Sequence, residues 1–86
     1  FVNFDAEDEL QSLNKQIESL IDAGKYDQSM ELSKKAVSLA LKEFGPNHIQ
    51  YAKALNNLAW HQQTSGDYHA ARENFEKCKK IYETKY

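Results

Sequence analysis

Apolar residues recur along the chain in four stretches, each with the three-and-four spacing that places them on one face of a helix. In the first, Leu10, Leu13, Ile17, Leu20 and Ile21 follow one another at steps of three, four, three and one. In the second, Met30, Ser33, Ala36, Val37, Ala40, Leu41 and Phe44 keep the helical period. Leu32 and Leu39 widen that face, as in a helix that packs against more than one neighbour. The third carries Ala52, Leu55, Leu58, Ala59 and Gln62, and the fourth Ala71, Phe75, Cys78, Ile81 and Tyr82. Gly24, Gly45-Pro46 and Gly66 punctuate the pattern, since glycine suits a left-handed position after a helix and proline cannot continue one. The pattern predicts helices over 5–23, 26–44, 47–64 and 67–86. Asp5 is the expected N-cap of the first, with Glu7, Asp8 and Glu9 opposing the positive end of its dipole. Asn47, with Gln50 three residues later, resembles a capping box for the third.

The stretches are related in pairs. Gly24-Lys25-Tyr26-Asp27 is echoed by Gly66-Asp67-Tyr68-His69, and the glycines lie 66 − 24 = 42 residues apart. The echo continues on both sides: Leu13 answers Leu55, Asn14 answers Asn56, Ala36 answers Cys78 and Leu39 answers Ile81. A fixed period of a few tens of residues marks a repeat protein, in which each unit buries its apolar face against the next. The expected architecture is a single all-α domain over 1–86, with repeat 1 at about 5–44 and repeat 2 at about 47–86. Tyr86 is the counterpart of Phe44, so the register leads one to expect a piece of a longer array. On that view Ile81, Tyr82 and Tyr86 at one end, and Leu10 and Ile21 at the other, would present apolar surface. Tyr68 and Phe75 are expected core aromatics.

Composition narrows the function. The 86 residues suffice for one small domain, and 3 glycines and 1 proline leave room for few turns. A net charge of −2 with mixed signs argues against a nucleic-acid or anionic-membrane footprint, which requires a clustered basic face. No apolar run reaches the length of a membrane span. A lone cysteine, Cys78, cannot form an internal disulfide and fits a reducing, cytoplasmic setting as a buried structural thiol. His48, His61 and His69 form no metal-ligand pattern with Cys78 or an acid, and no phosphate-cradling loop or nucleophile motif is present. No enzyme activity, cofactor or metal is expected. Lys34-Lys35 and Lys79-Lys80 read as solvated outer-face charges.

Gly66-Asp67-Tyr68 followed by Ala71, Phe75 and Cys78 resembles a tetratricopeptide repeat, whose usual period is about 34 residues. The longer period here, Leu55-Asn56-Asn57-Leu58-Ala59 after Phe44-Gly45-Pro46-Asn47-His48, and the closing Ile81-Tyr82-Glu83-Thr84-Lys85-Tyr86 are similar to repeats of the kinesin light chain type. Repeat 1 departs from that pattern: Lys15 replaces the second asparagine, and Ser29 and Ser33 stand where a small apolar and an aromatic residue are usual. Ile49 replaces a common proline in repeat 2. The resemblance implies a right-handed superhelical stack of antiparallel helix pairs whose first helices line a concave, peptide-binding groove. It implies groove positions at Gln11, Asn14, Lys15 and Glu18, and at Lys53, Asn56, Asn57, Trp60 and Gln63. Helical spacing agrees for the second set, because Lys53, Asn56, Asn57 and Trp60 share about one face. The terminal-carboxylate clamp of chaperone-binding relatives is not expected, since Glu18 would repel a carboxylate. Two functions follow as expectations. One is a non-enzymatic adaptor or scaffold that binds a peptide segment of a protein partner. The other is an assembly element whose end faces stack on further repeats or on another copy.

Overall fold

The computed structural model describes residues 2–85, with side chains over 6–84, so Tyr86, one of the residues expected at an apolar end, lies outside the described residues. Four helices follow one another: α1 (Val2–Asp22), α2 (Tyr26–Phe44), α3 (Ile49–Ser65) and α4 (Tyr68–Lys85). Each packs on the next in chain order, α1 on α2, α2 on α3 and α3 on α4. The result is a layered stack measuring 35 × 26 × 17 Å.

The two echo turns are built alike. In the first, Lys25 N–H donates to the Leu20 carbonyl at 2.8 Å, and in the second Asp67 N–H donates to the Gln62 carbonyl at the same distance. These bonds cap otherwise orphaned carbonyls at a helix end, and they require a left-handed residue at the turn. Gly24 (φ 76°) and Gly66 (φ 96°) supply it. The helix starts differ from the sequence expectation. Helix α1 begins at Val2, ahead of Asp5, which is therefore an internal helical residue rather than a cap. At α3 the cap is His48, not Asn47: the Gln50 N–H donates to His48 Nδ1 at 3.0 Å. The helix starts at Ile49, which places Asn47 one residue too early.

The core joins Leu10, Leu13 and Ile17 of α1, Ala36 and Ala40 of α2, Tyr51, Ala52, Ala54 and Leu55 of α3, and Cys78 and Ile81 of α4. Small side chains are prominent in it: Ala36 and Ala40 of α2 and Ala52 and Ala54 of α3 are all buried. Leu10 and Ile81, expected on exposed ends, are buried, and Ile21 is half-buried. Leu41 is exposed instead of packed. Tyr68, expected in the core, is 69% exposed, while Phe75 is half-buried. Cys78 is buried and its thiol donates to the Ala52 carbonyl at 3.2 Å, so it ties α4 to α3.

Candidate functional site: the cleft between α1 and α3

A cleft of about 270 Å³ runs between α1 and α3, closed at one side by Tyr82 of α4. Helix α1 contributes Asn14, Ile17, Glu18 and Ile21, and α3 contributes Lys53, Asn56 and Asn57. The spacing explains the selection: Asn14, Ile17, Glu18 and Ile21 recur at three, one and three, a stripe of α1 that shares Ile17 with its core stripe. Asn14 and Asn56 are equivalent across the repeat, so two copies of one amide face the same space. Ile17 is fully buried and forms the apolar floor, whereas Asn14 and Asn57 are half-buried and Glu18, Lys53 and Asn56 exposed.

The side-chain amides of Asn14, Asn56 and Asn57 make no hydrogen bond among the described residues. Each retains two N–H donors and a carbonyl acceptor, the complement of a peptide backbone. Glu18 and Lys53 bring opposite charges to the walls without pairing with each other.

The remaining sequence-derived groove positions lie elsewhere. Lys15 lines a broad depression of about 710 Å³ between α1 and α2, together with Leu20, Glu31 and Leu32. Trp60 lies outside the α1–α3 cleft, its ring 6.3 Å from that of Tyr26 at the start of α2. Gln63 and Gln11 are exposed.

One polar constellation is legible only in three dimensions. His61 of α3 is buried between helices, with Nε2 at 2.7 Å from Ser29 Oγ and Nδ1 at 2.8 Å from the Asn57 carbonyl. A carbonyl only accepts, so Nδ1 carries the proton. Ser29 Oγ is in hydrogen-bond contact with Nε2 and also donates to the Tyr26 carbonyl at 3.0 Å, which anchors the serine to its own helix as well as to α3. Ser33 Oγ donates to the Ser29 carbonyl at 2.9 Å and lies 3.4 Å from His61 Nδ1. A serine–histidine contact of this length is found in activated nucleophiles. Here both serines are 0% exposed and His61 is 3% exposed, and the group serves as a polar joint between α2 and α3. The available signal was repeat register. Ser29 and Ser33 stand 42 residues before Ala71 and Phe75, and His61 stands 42 after Ser19.

Among the described residues no group of three or more histidine, cysteine, aspartate or glutamate side chains is placed to hold a metal ion. No helix among them is long and apolar enough to cross a membrane. Four helices stacked in chain order, with the same turn recurring after 42 residues, define a helical repeat protein. The tetratricopeptide repeat family profile matches residues 8–84, and the chain belongs to that family. Its repeats are generally protein–protein interaction modules. Neither the curated proteins nor the solved structures yield a match to the chain.

Proposed function

We propose that this chain is a non-enzymatic adaptor or scaffold module that holds an extended peptide segment of a protein partner in the α1–α3 cleft. The observation that carries the reading is the convergence of the three uncommitted amides of Asn14, Asn56 and Asn57 over the Ile17 floor. They pair with backbone N–H and C=O groups of an extended ligand, while Ile17 and Ile21 take an apolar side chain. Glu18 and Lys53 set the polarity of the residues flanking it. The long period supports membership of the kinesin light chain type of repeat, and the single buried thiol supports a cytoplasmic setting. Lys15, Trp60 and Gln63 do not line the cleft.

Asn57→Ala is expected to weaken capture of a cleft-binding segment from a peptide library by at least about fivefold, one or two lost hydrogen bonds. It should change unfolding free energy by less than about 1 kcal/mol, because the amide makes no internal bond. Undiminished capture by the variant would sink the reading. The second reading, stacking on a further repeat or another copy, is supported by the broad depression beside Leu20 and Leu32. It predicts a mass that rises with concentration in sedimentation and falls back in a Leu32→Glu variant.

A further inference from the structure

The far end of the α2–α3 joint carries a second, smaller cleft, of about 150 Å³, lined by Tyr26, Asp27, Met30, Trp60, His61, Thr64 and Ser65. Its volume is below that of a site for a drug-sized ligand and suits a single side chain. Two features give it a definite chemistry. The first is aromatic. Tyr26 and Trp60 are 48% and 41% exposed, and their planes stand at 63° with centroids 6.3 Å apart. The faces of such rings carry negative potential and attract cations.

The second feature is the hydrogen-bond inventory. Thr64 Oγ1 donates to the Trp60 carbonyl at 2.8 Å, and Ser65 Oγ donates to the Gln62 carbonyl at 3.0 Å. Each hydroxyl proton is thus committed to the helix, leaving oxygen lone pairs as acceptors. Both His61 nitrogens are committed as well, one to Ser29 and one to the Asn57 carbonyl. Asp27 is exposed, is the only formally charged group in the lining, and makes no ion pair among the described residues. Its place in the first turn of α2 favours a carboxylate there in any case. The lining therefore offers acceptors, one negative charge and two ring faces. An arginine guanidinium is the complement: planar, always charged, with five donors and no acceptor.

We infer that this cleft binds the arginine side chain of a peptide partner, its guanidinium stacked on Trp60 or Tyr26 and hydrogen-bonded to Asp27. The site lies apart from the α1–α3 cleft and does not depend on the reading given to that cleft.

Trp60 is the only tryptophan, so its fluorescence reports occupancy directly. The test titrates the chain with N-acetyl-arginine methylamide and with its citrulline and lysine counterparts at matched ionic strength. A saturable Trp60 response is expected, with the arginine compound bound at least about tenfold more tightly than citrulline, which has the same shape and no charge. Lysine should fall between them. Asp27→Asn should weaken the arginine response by about fivefold or more, while Asn57→Ala leaves it unchanged. Helicity measured on each variant separates lost binding from lost fold. Equal responses to arginine and citrulline, or no saturable response to arginine, overturn the inference. So does an arginine response that survives Asp27→Asn and Tyr26→Leu in chains that remain helical.

Discussion

The second helices of the two repeats solve the same packing problem in opposite ways. Positions 29, 33 and 36 of α2 hold serine, serine and alanine; 42 residues on, positions 71, 75 and 78 of α4 hold alanine, phenylalanine and cysteine. In α2 the first two are fully buried beneath α3, and the space that an aromatic ring would occupy is filled by His61 reaching in from the neighbouring helix. In α4 the volume comes from the helix's own Phe75, which is half-buried, and from Cys78. The exchange teaches that an inter-helix slot is specified by summed volume and by hydrogen-bond satisfaction across the contact, and not by the residue type at any one position.

The largest break in that comparison is His61→Ala, which empties the shared slot. A loss of about 2–3 kcal/mol in unfolding free energy is expected from the cavity and the lost bonds, measured by urea denaturation. Ser29→Ala leaves Nε2 buried without a partner and should cost about 1–2 kcal/mol on its own. In a His61→Ala background the same change should be nearly neutral. Full additivity of the two would show that the hydrogen bond carries no coupling.

A smaller effect sharpens the contrast between Cys78 and its counterpart Ala36. Burial pushes the Cys78 thiol above its ordinary 9.0, partly offset by its backbone hydrogen bond. The folded chain therefore keeps a proton that the unfolded chain loses. Stability is unaffected by this group below about pH 9 and falls as pH rises beyond it. Urea midpoints compared between the native chain and Cys78→Ala, from about pH 8 to about pH 10, should show the steeper decline in the native chain. Parallel curves would contradict the assignment.

The smallest effect concerns the two echo tyrosines. Tyr68 is 69% exposed, and Tyr68→Ala should change stability by less than about 0.5 kcal/mol. Tyr26→Ala, which removes the edge contact with Trp60, should cost more, about 0.5–1.5 kcal/mol. Equal losses would mean that the ring pair contributes nothing to folding.

Much of the fold is legible in the order of residues along the chain. Local rules act within a few residues, so the glycines that end helices, the apolar period and the 42-residue echo determined four helices, their order and their pairing. The family resemblance implied one groove of Asn14, Lys15, Glu18, Lys53, Asn56, Asn57, Trp60 and Gln63; the α1–α3 cleft is lined by Asn14, Glu18, Lys53, Asn56 and Asn57 and not by Lys15, Trp60 or Gln63. Tertiary structure decided the rest. Helical spacing names a face but not the neighbour that meets it, so Lys15 fell to the α1–α2 depression and Trp60 to Tyr26. It also cannot separate a polar residue in water from one that is buried and satisfied by a partner about thirty residues away. Ser29 and His61 look solvent-compatible in the sequence, and Ser33 stands out only as a polar member of the apolar stripe; all three are buried in the fold, because each finds its hydrogen bonds inside. Tyr68, apolar enough for a core, is left in water because no neighbouring helix among the described residues covers it.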